Sequence, residues 1–330
     1  MTWLVGAYGP DMDGTGTGIV ALAATADGTL EHLGVVVEAE SPSFLVANGD
    51  RIYSALEGSG RVASFARAQA FELEADATAD SGGKWPCHVT VAGSMLLVAN
   101  YFDGSFGVVG LSGSGSVTQL ITTVQDAGSG PGKGQDGPHA HATLVIDDTT
   151  VLGLDLGADR VFIHTVTGGR LERNGEFALP PGTGPRDVAR HPSGLIFVLG
   201  ELDGSLHVLE WSGRELLLVA SAAVPGHVDG DHGAAIGFSA DGLFVYTGLR
   251  GSHRIGVLSV SADGRELAPV GWIPSGGAWP RHLAVDGQLL HVANERSNSV
   301  DTFRLGNDGL PQPLGSVEVA SPTYLLKIAD

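Results

Sequence analysis

The sequence predicts an all-β protein, a seven-bladed β-propeller whose ring is closed by the C-terminal strand joining the N-terminal blade. Short runs rich in Val, Leu, Ile and Phe recur along the chain and end in Gly, Asp, Ser or Asn, as strands of hairpins do. One strand–turn–strand segment is repeated seven times, and the two ends of the chain contain complementary parts of one repeat. We expect residues 1–330 to form a single domain.

The composition agrees with a fold that has many tight turns. Gly accounts for 50 of the 330 residues and is spread without a three-residue period, which excludes collagen. Hydrophobic residues make up 43% of the chain, enough for a sizeable core. The formal net charge of −19 argues against a nucleic-acid partner, because phosphate binding requires a basic surface.

Three features predict a cytoplasmic protein with no membrane partner. Cys87 is the sole cysteine of the sequence, so no intrachain disulfide can form. The N-terminal segment MTWLVGAYGPDMDG lacks the basic region and apolar run of a signal peptide. No apolar run approaches the ~18 residues that span a bilayer. The sequence does not indicate an oligomeric state.

The repeat consists of a second strand, a turn and a third strand. After a looser copy at Trp3, the copies are IYSALEGSGRVASF from Ile52, LLVANYFDGSFGVV from Leu96, VLGLDLGADRVFIH from Val151, IFVLGELDGSLHVL from Ile196, FVYTGLRGSHRIGV from Phe244 and LHVANERSNSVDTF from Leu290. They recur about every 45–55 residues, close to the ~40–50 residues of a four-stranded propeller blade. Between copies, we interpret Phe65–Ala79 as a strand plus a variable loop.

An innermost strand is predicted before six of the copies. These strands are SPSFLVA at Ser41, WPCHVTV at Trp85, GPHAHATLVI at Gly137, GPRDVAR at Gly184, HGAAIGFSADG at His232 and WPRHLAV at Trp279. The copy at Trp3 has no such strand before it, but the C-terminal SPTYLLKI nearly repeats SPSFLVAN. We therefore expect Ser321–Ile328 to be the innermost strand of the blade begun by Trp3–Ala24, which leaves no open sheet edge in the ring.

Two sets of residues should meet at one mouth of the central channel. Each innermost strand begins at the face where the second strand ends, because the two strands are antiparallel neighbours. The innermost strands contribute Ser43, Cys87, His139, Arg186, Arg281 and Thr323, each after a Pro, with His88, His141, Asp187 and His282 just inside. The second-strand ends contribute Tyr8, Glu57, Tyr101, Asp155, Glu201, Arg250 and Glu295. Arginine recognises carboxylates and phosphates, so these residues predict a small-molecule site.

Four segments of the sequence resemble the patterns of a known protein family. GTGPRDVARHPSGLIFVLGELDGSLHVLEW, residues 182–211, resembles the GxGPRHxxFHPxxxxxYxxNELxSSVxVW segment of the lactonase family of seven-bladed propellers. That family includes 6-phosphogluconolactonases and the fungal 3-carboxy-cis,cis-muconate lactonizing enzyme. The segments from Trp85, Gly137 and Trp279 are similar to three further family patterns, in the same order. One departure is Asp187, which replaces a frequent His and offsets part of the charge of Arg186.

The resemblance implies a hydrolase that opens a sugar-acid lactone such as 6-phosphogluconolactone, a pentose phosphate pathway substrate, without a metal or cofactor. By motif position it implies four catalytic residues: His141, Arg186, Glu201 and Arg281. Glu201 or His141 would activate water, while the arginines hold the anionic group and the oxyanion. Further mouth residues are predicted to bind the substrate, which we expect to be anionic: His88, Tyr101, His139, Asp155, Arg250 and His282.

Several alternatives stay open. His139 and His141 lie on one face of a strand and could ligate a metal with Asp155, although the resemblance argues against it. The segment HVDGDH, residues 227–232, also resembles a metal site, but we interpret it as a loop. The rival functions are a lactonizing cycloisomerase, a lactonase of another substrate, and a non-enzymatic propeller that binds a protein partner. The last would favour aromatic and apolar residues at the mouth.

Overall fold

A computed structural model describes residues 1–69 and 71–328, which form seven four-stranded antiparallel sheets. We number the sheets as blades 1 to 7 and give their strands from the innermost outwards. Blade 1 consists of β28 (Pro322–Ile328), β1 (Thr2–Ala7), β2 (Gly18–Ala24) and β3 (Leu30–Glu38). Blade 2 consists of β4 (Pro42–Asn48), β5 (Arg51–Leu56), β6 (Arg61–Gln69) and β7 (Glu72–Asp80). Blade 3 consists of β8 (Pro86–Ala92), β9 (Met95–Asn100), β10 (Ser105–Leu111) and β11 (Val117–Gln125).

The remaining blades have the same strand order. Blades 4 to 7 consist of β12 (Ala140–Val145), β13 (Thr150–Asp155), β14 (Arg160–Thr167) and β15 (Arg170–Ala178); β16 (Pro185–Arg190), β17 (Ile196–Gly200), β18 (Ser205–Trp211) and β19 (Leu216–Ala223); β20 (Gly233–Phe238), β21 (Phe244–Leu249), β22 (Arg254–Val260) and β23 (Leu267–Pro274); β24 (Pro280–Asp286), β25 (Leu289–Asn294), β26 (Ser299–Leu305) and β27 (Pro311–Glu318). Two short 3₁₀ turns, Pro10–Met12 and Glu295–Ser297, complete the described elements. None of these elements is a helix long and apolar enough to cross a membrane.

The seven innermost strands of the described residues form a closed ring in which each contacts the next, and β28 contacts both β24 and β4. Strand β28 pairs with β1 in antiparallel register, with Val5 opposite Leu325 and Leu4 opposite Leu326. Blade 1 is thus built from both ends of the chain. The predicted seven-bladed propeller and its closure by the C-terminal strand are confirmed.

The interpretation of Phe65–Ala79 as a strand plus a variable loop is right for the strand, which is the end of β6, but wrong for the loop, because β7 occupies Glu72–Asp80. Strand β7 pairs with β6 along its length, with Ala79 opposite Val62 and Ala77 opposite Ser64. The segment is rich in Ala, Glu and Asp, which have low strand propensity, but an outermost strand buries few side chains. Cross-strand pairing and the burial of Leu73 and Ala79 therefore outweigh local preference.

The hydrophobic core lies between neighbouring blades. Each cluster of buried side chains combines residues of two consecutive sheets, so every sheet is covered on both faces. Between blades 7 and 1, for example, Leu325 packs in one cluster with Val5 and Val300. The contact that closes the ring is therefore apolar as well as hydrogen-bonded.

Replacing Leu325 by Ala tests how much this closure stabilises the fold. Leu325 is 3% exposed, so Leu325→Ala should lower the free energy of unfolding by about 2–5 kcal/mol, as cavity-forming substitutions do. The matched control is Leu218→Ala on the outermost strand β19, where the side chain is 53% exposed and the expected change is within about 0.5 kcal/mol. Denaturant unfolding measures both. Equal losses in the two variants would contradict a closure that depends on buried packing.

Candidate active site

Each innermost strand contains a β-bulge near its first residue. In blade 5, Pro185 pairs with Gly200 and Asp187 with Leu199, which leaves Arg186 as the extra residue. The same shift occurs in the other blades of the described chain. A bulge re-aims the side chain of the extra residue, here into the mouth of the channel. The seven residues, which we call the bulge ring, are Thr323, Ser43, Cys87, His141, Arg186, Ala235 and Arg281.

The bulge ring corrects one assignment made from the sequence. The sequence predicts His139, the residue after Pro138, as the blade 4 counterpart of Arg186 and Arg281. In the structure β12 begins at Ala140, which takes the paired position that proline occupies in blades 3, 5 and 7. His141 is therefore the blade 4 counterpart of Arg186 and Arg281.

The bulge ring lines a cavity of about 190 Å³. His141, Arg186 and Arg281 reach it from blades 4, 5 and 7, and the predicted binding residues His88 and His282 also line it. The full lining comprises Ser43, Phe44, Cys87, His88, His141, Arg186, Asp187, Val188, Ala235, Ile236, Arg281, His282, Thr323 and Tyr324. Of the four residues predicted to be catalytic, three line the cavity and Glu201 does not.

Glu201 instead lies behind Arg186 as the centre of an ion-pair network. Its Oε2 atom is 3.1 Å from Arg186 Nε and 2.6 Å from Arg250 Nη2, and its Oε1 is 3.0 Å from His232 Nδ1. Burial opposes ionisation of this carboxyl, but Arg250, His232 and Arg186 outweigh burial and hold its pKa well below the usual range. Glu201 is therefore a fixed carboxylate that orients two guanidinium groups.

His141 is neutral and has one defined tautomer. Burial, together with the charge of Arg186, lowers the pKa of His141 well below its ordinary value. Arg186 Nη1 lies 2.9 Å from His141 Nε2. Since a guanidinium can only donate, Nε2 accepts this hydrogen bond and the ring proton lies on Nδ1.

Arg281 has its own group of partners, from blades 1, 2 and 7. Its guanidinium donates to the Tyr8 hydroxyl and lies 4.5 Å from the centre of the Tyr8 ring. Glu295 Oε2 is 3.5 Å and Glu57 Oε2 4.0 Å from the guanidinium nitrogens, and the Tyr8 hydroxyl donates to Glu57 Oε1 at 2.8 Å. Burial raises the pKa of Glu57 in spite of Arg281. Two carboxylates thus share one guanidinium here.

A belt of four aromatic rings in tilted contact forms another wall of the cavity. His88, Phe44, Tyr324 and His282 contact one another in that order, with ring centres 4.2, 4.1 and 3.9 Å apart. Burial lowers the pKa of both His88 and His282 to about 3, so the belt carries no charge at neutral pH. Sequence reasoning missed Phe44 and Tyr324. Both directly follow a bulge-ring residue, as His88 and His282 do, and that position is the signal that could have found them.

The remaining predicted binding residues lie outside the cavity lining. Tyr101 stacks on His139 with ring centres 4.8 Å apart, and its backbone oxygen accepts a hydrogen bond from His139 Nδ1. Burial raises the pKa of the Tyr101 hydroxyl to about 12. Arg250 is held against Glu201. Asp155 is fully buried, and its Oδ1 accepts the backbone N–H groups of His139 and Ala158, so it closes the end of β13.

These contacts also bear on the open question of a metal. His139 Nδ1 is hydrogen-bonded to the Tyr101 backbone oxygen, and His141 Nε2 to Arg186 Nη1. Asp155 Oδ1 accepts backbone N–H groups, so these three atoms already have partners within the protein. No group of three or more His, Cys, Asp or Glu side chains placed to hold a metal ion occurs within residues 1–69 and 71–328. In the 227–232 segment, Asp231 accepts the backbone N–H of Val228 and the Ser252 hydroxyl, as a loop-forming aspartate does.

The chain matches the family model described as lactonase, 7-bladed beta-propeller, over residues 2–326. The protein belongs to this lactonase family. The resemblance seen in the sequence is confirmed, and it extends through all seven blades of the described chain.

Three of the proteins that this chain resembles have lactonase names. The 6-phosphogluconolactonase of Bacillus subtilis is 32% identical over 232 residues, which cover 67% of this chain and 66% of that protein. The 6-phosphogluconolactonase of Erwinia tasmaniensis is 29% identical over 77% of this chain and 78% of its own length. The structure of a periplasmic gluconolactonase from Pseudomonas aeruginosa superposes with a TM-score of 0.92 at 25% identity and covers 99% of both chains. The chain thus spans about two thirds of the length of the Bacillus relative.

The neutral state and tautomer of His141 can be measured directly. At pH 7 the ¹⁵N shifts of its imidazole should show a protonated Nδ1 and a bare Nε2, with the signals assigned by their loss in His141→Gln. His191 is an internal reference of the opposite tautomer, because its Nε2 donates to the backbone oxygen of Gly242 at 2.8 Å. An imidazolium or an Nε2–H tautomer at His141 would contradict the contact with Arg186.

Proposed function

We propose that this protein hydrolyses the ester bond of a sugar-acid lactone in the cavity of the bulge ring. The observation that carries the proposal is the convergence of His141, Arg186 and Arg281, from three different blades, on one cavity. The names of the relatives support the same reaction class and suggest gluconolactone and 6-phosphogluconolactone as the first substrates to test.

The two arginines supply electrostatic stabilisation. Attack of water on the lactone carbonyl produces a tetrahedral oxyanion, and fixed donors that meet this charge lower the barrier. Arg186 and Arg281 are both largely buried, and carboxylates that do not enter the cavity hold their guanidinium groups in place. Both are therefore oriented before the substrate arrives.

His141 is the better candidate for the base, and Glu201 for a positioning residue. Glu201 is already ion-paired with Arg186 and Arg250 and hydrogen-bonded to His232, so its carboxylate is poorly available to water. His141 is neutral, and its Nε2 lone pair becomes free when Arg186 Nη1 exchanges it for the oxyanion, while Arg186 Nε stays paired with Glu201. Nε2 then takes a proton from the attacking water while the oxygen–carbon bond forms.

The same imidazole completes the reaction. When the tetrahedral intermediate collapses, the bond between the carbonyl carbon and the ring oxygen breaks, and His141 returns the proton to that oxygen. The product is the open-chain hydroxy acid, which loses a proton to solvent. Water is consumed, no electrons are transferred, and the residues contribute no other atoms. The predicted independence from a metal and the cytoplasmic location stay predictions.

Removing either guanidinium should reduce turnover strongly. Arg186→Ala and Arg281→Ala should each lower kcat by about 10²–10³-fold, the range seen when one oxyanion donor is lost. Arg214→Ala, which removes an exposed guanidinium in the turn before β19, is the matched control and should leave turnover unchanged. Lactone opening is followed by titrating the acid released, after subtraction of the spontaneous rate. Wild-type turnover in both cavity variants would overturn the proposed site.

The pH dependence tests His141 as the base. A base must be unprotonated, and the pKa of His141 lies well below its ordinary 6.5. The neutral form therefore persists as the pH falls through 6.5 and is lost only when the pH reaches the lowered pKa. We expect kcat/KM to stay constant across pH 6.5 and to fall only at a markedly lower pH. An acid limb centred near 6.5 would point to a different base.

A further inference from the structure

We propose that the cavity selects a lactone without a phosphate group and that Asp187 is the residue that excludes the phosphorylated one. The inference rests on the proposed lactone hydrolysis and adds the charge class of the substrate to it. It also revises the expectation of an anionic substrate, because that expectation did not include the carboxylates with which the arginines are paired.

The charges around the cavity do not favour a dianion. The site contains three guanidinium groups, from Arg186, Arg250 and Arg281, and each has a carboxylate partner within 4.0 Å. The partners are Glu57, Glu201 and Glu295, so three guanidinium groups face three carboxylates before Asp187 is counted. Asp187 adds a fourth acid. Burial raises the pKa of Asp187 and of Glu57, but both Asp187 oxygens accept backbone N–H groups, which favours its ionised form. When all are ionised, the four acids outnumber the three guanidinium groups.

No further arginine and no lysine lines the cavity within the described part of the chain. The cavity histidines His88, His141 and His282 have lowered pKa values because they are buried, so they add no positive charge at neutral pH. The sequence has three lysines, Lys84, Lys133 and Lys327; all are exposed, and none lines the cavity. The net charge of −19 opposes the approach of a dianion from farther away.

Asp187 is fixed where an entering anion would meet it. It follows Arg186 directly and lines the cavity. Its Oδ2 accepts the Ile236 N–H of blade 6 at 2.8 Å, and its Oδ1 accepts the Val188 N–H at 3.0 Å. Both oxygens are engaged, so the carboxylate cannot swing away from a phosphate, which carries about −1.5 to −2 charges at neutral pH.

A neutral lactone suits this arrangement. Its ring brings no charge into the cavity, so the guanidinium groups of Arg186 and Arg281 meet only the negative charge that forms during the reaction. Interactions made in the transition state and absent in the ground state are those that raise kcat. A bound phosphate would draw the same guanidinium groups away from the oxyanion.

The test compares kcat/KM for gluconolactone and 6-phosphogluconolactone in three proteins. The wild type should prefer gluconolactone by at least about tenfold, a ratio within the range of one close charge–charge interaction. Asp187→Asn should reduce that ratio several-fold. Asp148→Asn is the matched control: it makes the same charge change in the exposed turn between β12 and β13, at the opposite end of the innermost strand, and should leave the ratio unchanged.

The ratio of the two kcat/KM values does not depend on the fraction of folded enzyme, so a partly unfolded variant does not distort the comparison.

A second measurement needs no variant. Added salt screens charge repulsion, so the wild-type preference for gluconolactone should shrink as ionic strength rises. Equal or faster turnover of 6-phosphogluconolactone by the wild type would overturn the inference and leave lactone hydrolysis standing. An unchanged ratio in Asp187→Asn would overturn the role of Asp187. No turnover of either lactone would overturn the proposed function itself.

Discussion

The β-bulge at the start of each innermost strand is the constraint on which the rest of the site depends. A regular strand would direct successive side chains to opposite faces, and one extra residue per blade changes that direction at the channel mouth. Because the bulge recurs in every blade of the described chain, seven side chains from distant parts of the sequence form one ring. The apolar contacts between blades hold this ring in register.

Burying guanidinium groups in that ring requires partners, and the second-strand ends provide them. An uncompensated buried charge is costly, whereas a paired one is tolerated. Glu201 therefore lies between Arg186 and Arg250, and Glu57 and Glu295 lie beside Arg281. The same pairing fixes the direction of each guanidinium and limits how much positive charge the cavity presents. Orientation and charge balance are two consequences of one arrangement.

The fold could be predicted from the sequence because the repeat is explicit and the ends of the chain contain complementary parts of one blade. The residue set at the mouth was also predictable, since strand order places it there. The position of the bulge in blade 4 could not be predicted. The proline at 138 indicates His139 as the bulge residue, whereas the strand pairing shows that it is His141. The sequence also could not decide whether Glu201 or His141 is the base, because their roles depend on ion pairs between blades. The aromatic neighbours Phe44 and Tyr324 were missed because they lack conspicuous chemistry.

Desolvation connects these features. It lowers the pKa values of His88, His141 and His282 and raises those of Glu57 and Asp187, so it removes positive charge from the histidines and makes the acids harder to ionise. In the proposed reaction the substrate enters neutral and leaves as a carboxylate. The guanidinium groups favour the oxyanion, and the surrounding acids weaken their hold on the product once its charge is fixed. Guanidinium groups that are offset by neighbouring acids thus serve both the chemical step and product release.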